Sequence, residues 1–205
     1  MRNQINTLIR QVKGWRRPSK KDNEGRMRAR GETMDCIIIR DATEADVVAL
    51  SKLHVECWNQ TYGGRTDEGA LKLRESQWRE IFRNVNDSWF CLVVENKNGE
   101  LIGFAKGQKY RHEALPQYDG ELNKIYLLRD YQRLGIGRKL FLMTVKKFLV
   151  QGINTMVLFG IPQNPSCNFH EAMKGQRLLD DAGIFQGGYG WIDLQQFVLS
   201  GDIPK

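Results

Sequence analysis

Apolar positions change their period several times along this chain, and each change marks an element. Cys36-Ile37-Ile38-Ile39-Arg40 is a short apolar run that predicts a strand. Val47, Leu50, Leu53, His54, Cys57 and Trp58 then recur at three- and four-residue spacing. That period predicts a helix, with Thr43 as N-cap, the acid Asp46 three residues on, and a stop near Tyr62-Gly63-Gly64. A second helical stretch, roughly 67–85, carries Leu71, Leu73, Trp78, Ile81 and Phe82. Trp89 to Glu95 and Leu101 to Tyr110 read as strands, joined at Asn96-Lys97-Asn98-Gly99, where Asn98-Gly99 is a hairpin signal. Gly103 and Gly107 mark a bulge or a close approach in the second strand. His112 to Tyr118, with Pro116, reads as a loop.

The stretch from Gly120 to Leu149 changes period within itself. Leu122 to Leu128 suits a buried strand, whereas Ile136, Leu140, Met143, Val145 and Phe148 fall at mostly helical spacing. Thr155 to Phe159 is a further strand, and strand–helix–strand at this spacing predicts a parallel crossover. Ser166 to Met173 is a short helix stopped by Gly175, and Gln176 to Leu199 reads as a closing hairpin around Gly187-Gly188.

Charge divides the chain in two. Residues 1–33 hold ten Lys/Arg against three Asp/Glu, so the whole excess of +7 lies there, and residues 34–205 balance to zero. Ile5, Leu8, Ile9, Val12 and Trp15 could face one side of a basic amphipathic helix that meets a membrane or a partner, followed by a polar linker at 18–33. The simpler readings are a flexible tail, or upstream sequence ahead of a start at Met34. Nucleic acid is expected as a partner only through this extension, because the balanced remainder has no general basic excess. The domain expected at 34–205 has the apolar content for a core, with no eighteen-residue apolar run for a membrane span. Cys36, Cys57, Cys91 and Cys167 are far apart, so no disulfide framework or metal site is expected, and the cytoplasm is the expected compartment.

The candidate chemistry lies at Gln132-x-x-Gly135-x-Gly137, between the strand and the helix. Glycines at a helix start let a ligand approach free backbone N–H groups at the positive end of the dipole, which makes an anion cradle. On the residues alone, a helix start that merely has two glycines is an equal reading. The spacing is neither a Walker loop nor a dinucleotide fingerprint. With Glu121 at the strand start, it resembles the GNAT superfamily of acyl-CoA-dependent N-acetyltransferases. Asn164-Pro165-Ser166-x-x-Phe169-x-Glu171-x-x-x-Gly175 is similar to that family's Asn-x-x-x-x-Phe-Tyr-Glu-x-x-Gly. It departs in having His170 for the Tyr and its glycine one residue later. The resemblance spans about 36–199.

That resemblance implies an α+β fold: a mixed, mostly antiparallel sheet with helices on both faces and a splayed parallel strand pair. It implies transfer of acetyl from acetyl-CoA to a primary amine of a small molecule or protein, by direct attack in a ternary complex. It places the pyrophosphate on Gln132, Arg133, Leu134, Gly135, Ile136, Gly137 and Arg138, and the pantetheine on the backbone of Ile125, Tyr126 and Leu127. Asn164 is a further cofactor contact. Glu121 matches the family's base, with Asp119 behind it, and His170 stands by position for the acid. His54, Trp58 and Tyr62 could line the acceptor wall, although Trp58 reads more simply as packing. A covalent route through Cys167 or Cys91 lacks an obvious base. Two other classes stay open: a non-catalytic acyl-CoA binder, and a protein tethered by its basic tail. A homodimer is also open.

Overall fold

The computed structural model describes residues 36–63, 67–84 and 86–200; the extension read at 1–33 lies outside the described residues. Among these, seven strands are hydrogen-bonded in the order β1-β2-β3-β4-β5-β7-β6. They are β1 (Ile38–Asp41), β2 (Trp89–Glu95), β3 (Leu101–Lys109), β4 (Gly120–Leu127), β5 (Met156–Phe159), β6 (Gln176–Leu179) and β7 (Phe185–Trp191). The helices are α1 (Val47–Tyr62), α2 (Glu68–Arg83), α3 (Ile136–Val150), α4 (Ser166–Ala172) and α5 (Leu194–Leu199). β1 pairs antiparallel with β2, as does β7 with β5 and β6, while β4 and β5 are parallel. This is the mostly antiparallel α+β sheet that the family resemblance implied.

The parallel ladder is short. β4 meets β5 only at Gly120↔Met156 and Glu121↔Val157. β5 continues to Phe159 against β7, while β4 runs on from Leu122 without it. The expected splay therefore begins immediately after Glu121.

The described chain falls into two compact units. One comprises the described residues up to Asn86, Leu92–Phe104 and Tyr126–Gly137. Its core gathers His54 and Cys57 of α1, Trp78 and Phe82 of α2, and Phe104 of β3. α2 starts where the Asp67 carboxylate accepts from the Ala70 N–H at 2.7 Å. The α1 entry is held differently: the Asp46 carboxylate accepts from Thr43 N–H at 2.7 Å and from two Arg40 nitrogens at 2.8 Å. That pairing with Arg40, despite burial, draws the Asp46 pKa down to about 2.

The second unit comprises Asp87–Cys91, Ala105–Ile125 and the chain from Arg138 onwards. Its part of α3 buries Leu140, Phe141, Val145 and Phe148. Phe141, not the expected Met143, is the inward residue of its middle turn, and it packs on Phe169, Trp191 and Phe197 at 5.3–6.1 Å between ring centroids. The closing hairpin turns at Asp180–Ile184 and not at Gly187-Gly188, which lie inside β7. Asp180 fixes that turn by accepting from Ala182 and Ile184 N–H at 3.1 and 2.8 Å. After β7 the chain turns helical, because Asp193 caps α5 through Gln196 N–H at 2.8 Å.

Candidate active site

The glycine turn belongs to the first unit. β4 ends at Leu127, a 3-10 turn follows at Arg129–Tyr131, and α3 begins at Ile136. The turn is anchored from two sides. Arg129 N–H donates to Gln60 Oε1 of α1 at 2.8 Å, and the Asn96 amide reaches Tyr131 OH at 3.1 Å. Gln132 folds back and donates from Nε2 to Leu127 O at 2.9 Å. Arg133 and Gly135 take the left-handed conformation, with φ of 67° and 83°. Alternation of left- and right-handed residues turns successive N–H groups towards one side, which suits an anion. A Cβ on Gly135 would meet nothing within 4 Å, so the space in front of this backbone is open. One helical position after Gly137, the Arg138 Nε–H is buried with no hydrogen-bond partner. An orphaned guanidinium donor in the first turn of a helix fits a phosphate group.

The same unit holds the aromatic residues read from α1. His54 is 3% exposed and accepts from Trp78 Nε1 at 3.3 Å, with Phe104 and Tyr126 at 5.3 and 5.4 Å. It is therefore part of the core. Trp58 and Tyr62 are half-buried and pack with their ring centroids 4.3 Å apart and their planes tilted by 49°, with the Arg74 guanidinium 5.7 Å over the Trp58 ring. Tyr126 is half-buried too, and burial pushes its phenol pKa upwards.

The second unit holds Glu121, Asn164 and His170. Glu121 is the last residue of β4 paired to β5, and its half-buried carboxylate accepts at both oxygens. Gln108 Nε2 donates to Oε2 at 2.7 Å, and Asn123 Nδ2 donates to Oε1 at 3.0 Å. The phenol of Tyr110, just past β3, is buried without a hydrogen-bond partner. Its pKa is raised by burial and then by Glu121. Asp119, by contrast, is exposed, with its backbone N–H held by Thr155 Oγ1 at 2.9 Å.

Asn164 shapes the entry to α4, its Oδ1 accepting from Ser166 N–H at 2.8 Å. His170 is 4% exposed, lies between the rings of Phe169 and Tyr189 at 5.6 and 5.3 Å, and has no partner on Nδ1. Burial draws its pKa down to about 4, so the ring is neutral at pH 7. α4 ends with Lys174, not Gly175, in the left-handed conformation. Gly175 is required for another reason: a Cβ there would lie 2.7 Å from Trp191 Cζ2. This accounts for the late glycine. Cys167 contacts Ile161 O and Pro162 O at 3.6 and 3.4 Å, and Cys91 is buried. Among the described residues, no group of three His, Cys, Asp or Glu is placed to hold a metal ion. No described helix is long and apolar enough to cross a membrane.

Sequence reasoning missed Lys106, Gln108, Asn123 and Tyr110. A signal existed for the first two. Lysine in the middle of an apolar strand is almost never buried unpaired, and residues 106 and 108 share a face with period two.

The family model that describes the acetyltransferase (GNAT) family matches residues 47–175. An uncharacterized N-acetyltransferase, YuaI, of Bacillus subtilis is 32% identical over 169 residues, covering 77% of this chain and 94% of that one. A phosphinothricin N-acetyltransferase of Streptomyces viridochromogenes is 28% identical, covering 81% and 88%. The crystal structure of the PaiA N-acetyltransferase from Thermoplasma acidophilum, in complex with coenzyme A, shares the fold. Its TM-score is 0.57 at 23% identity, over 75% of this chain and 97% of that one. The sheet order, the glycine turn, the family match over more than half the length and the 32% identical relative agree: this chain belongs to the acetyltransferase (GNAT) family.

Proposed function

We propose that the chain transfers an acetyl group from acetyl-CoA to the primary amine of a small molecule, by direct attack in a ternary complex. The observation that carries this reading is Glu121, a half-buried carboxylate fixed by amide donors at both oxygens. Acetyl-CoA supplies a thioester as acyl donor. Backbone N–H groups of Arg133, Leu134, Gly135, Ile136, Gly137 and Arg138 would hold its pyrophosphate, with the orphaned Arg138 Nε–H adding charge. Ile125 and Tyr126 offer backbone groups to the pantetheine. Leu127 O already accepts from Gln132, so Gln132 acts by shaping the turn. Asn164 acts in the same way on α4.

An alkylammonium has no lone pair for attack, and its pKa is near ~10.4, so a proton must be removed at neutral pH. Glu121 accepts that proton, directly or through water, as the new N–C bond forms. The C–S electron pair leaves with sulfur, and a thiol of pKa ~8.5 leaves with little help. His170 has no imidazolium proton to deliver in this reading, because burial holds it neutral. Trp58, Tyr62 and Arg74, packed together in the first unit, are the residues proposed for contact with the acceptor. The relative named for phosphinothricin favours a small-molecule acceptor over a protein one.

The test is thiol release from acetyl-CoA by the full chain, against amino acids, phosphinothricin, polyamines and aminoglycosides. Wild type should turn over at least one amine. Glu121→Gln should lose on the order of 10²–10⁴ in rate at pH 7, and less as pH rises towards the acceptor's own pKa. Acetyl-CoA binding without turnover of any amine would make the chain a non-catalytic binder. Normal turnover by Glu121→Gln would remove the base.

A further inference from the structure

An ammonium in a strand interior loses hydration that packing cannot return. β3 nevertheless buries Lys106 to 6% exposure, and among the described residues no carboxylate forms an ion pair with it. Lys106 Nζ instead donates to Gln108 Oε1 at 2.5 Å. Gln108 Nε2 donates in turn to Glu121 Oε2 at 2.7 Å. The opposite oxygen is approached in the same way: Lys124 Nζ donates to Asn123 Oδ1 at 2.6 Å, and Asn123 Nδ2 donates to Glu121 Oε1 at 3.0 Å. Residues 106 and 108 share one face of β3, and 121 and 123 share one face of β4, its neighbour in the sheet.

The direction of every bond in this row is forced. Ammonium only donates and carboxylate only accepts, so an amide between them has one orientation that satisfies both. Each amide must turn its oxygen to the lysine and its NH₂ to Glu121. One lone pair on each carboxylate oxygen is then occupied, and the remaining pair points in a fixed direction.

We infer that Lys106 and Gln108 on one side, with Asn123 and Lys124 on the other, are positioning residues that set the orientation of the Glu121 carboxylate. This rests on Glu121 being the base. Lys106 acts at a distance through Gln108: without its ammonium, the amide is free to turn its oxygen on the carboxylate. Burial lowers the Lys106 pKa, against Glu121 and Cys91, which raise it, so the charge at the end of this arm is itself sensitive to its surroundings. The Tyr110 phenol is a further titratable group beside Glu121, with Lys124 behind Asn123.

Gln108→Glu separates positioning from mere packing. Its carboxylate can pair directly with Lys106, so the fold keeps a satisfied lysine, but Glu121 gains a repelling neighbour in place of a donor. The kcat/KM of the full chain for its best amine should fall about tenfold or more at pH 7. The acidic limb of its pH profile should move up by about one pH unit, with KM for acetyl-CoA within twofold. Lys106→Met should move the limb the same way by less. A second readout needs no acceptor: the Gln108 side-chain NH₂, followed by ¹⁵N NMR, should exchange slowly in wild type and quickly in Lys106→Met. If Glu121→Gln abolishes turnover while both variants keep the wild-type profile and amide exchange, the positioning inference falls and the base stands. If Glu121→Gln turns over normally, the base falls first, and this inference with it.

Discussion

The buried state of His170 has a consequence for stability that can be measured. In an unfolded chain the imidazole takes up a proton near pH ~6.5. In the folded chain burial defers that to about 4, with Glu171 opposing weakly. Between these values the unfolded state binds more protons, so stability is full above pH 6.5 and is lost as pH falls towards 4. At ~1.36 kcal/mol per tenfold change in proton affinity, the whole loss is about 3 kcal/mol, and about 2 kcal/mol of it has occurred by pH 5. That is a large part of the 5–15 kcal/mol typical of a folded protein. Asp46 does not confound it, because its folded pKa is about 2 and its unfolded value is near ~3.9, so its contribution disappears only below about pH 4. The assay is urea unfolding of wild type and His170→Leu at pH 7.5 and 5.0. Wild type should lose about 2 kcal/mol more than the variant over this interval, because the other histidines are common to both. If the two lose equal stability, His170 titrates normally in the folded state, and it regains the capacity to give a proton to the departing thiolate.

Other outcomes follow from the same geometry. Gly135→Glu should abolish acetyl-CoA binding, measured by calorimetry, because it puts bulk and like charge into the open face of the turn and strains a backbone at φ 83°; unchanged affinity in a folded variant would remove the cradle. Gly175→Ala should cost about 1–3 kcal/mol in urea unfolding, because its Cβ meets the Trp191 ring at 2.7 Å; a cost below about 0.5 kcal/mol would show that Trp191 gives way easily. A chain beginning at Met34 should keep its rate within about tenfold, equal to ~1.4 kcal/mol of barrier; a larger loss would tie residues 1–33 to the site.

Periodicity located almost every described element, because one buried face per strand or helix repeats along the chain. Val47, Leu50, Leu53, His54 and Cys57 are buried at the spacing expected for α1. The misreadings occurred where side chains compete with backbone rules. Gly187-Gly188 looked like a turn, but the Asp180 carboxylate makes one earlier, and Gly187 instead lies against the Gly160 backbone. Asn98-Gly99 does join β2 to β3, with only Gly99 left-handed, because the buried Asn96 side chain accepts from Asn98 and Glu100 N–H and takes over the turn. The neutral state of His170 was not legible, because burial depends on Tyr189, nineteen positions away and in another element. The row from Lys106 to Glu121 depends on which strand lies beside which, and neither local period nor composition carries that information.

The early end of the β4–β5 ladder matters beyond catalysis. Past Glu121, β4 has an edge facing inwards within a larger sheet, and unpaired strand edges are templates for other chains. Two things limit the hazard. Only Leu122–Leu127 of β4 remain, about the length of an ordinary strand, and Asn123 and Lys124 fall among them, residue types that discourage strand addition. A whole foreign strand would also have to force β5 away from β7, to which it is bonded along its full length. A slim chain with two amide groups needs no such displacement. Under the proposed function the occupant of this edge is such an arm, one that imitates a strand for only one or two hydrogen bonds and leaves β5 on β7.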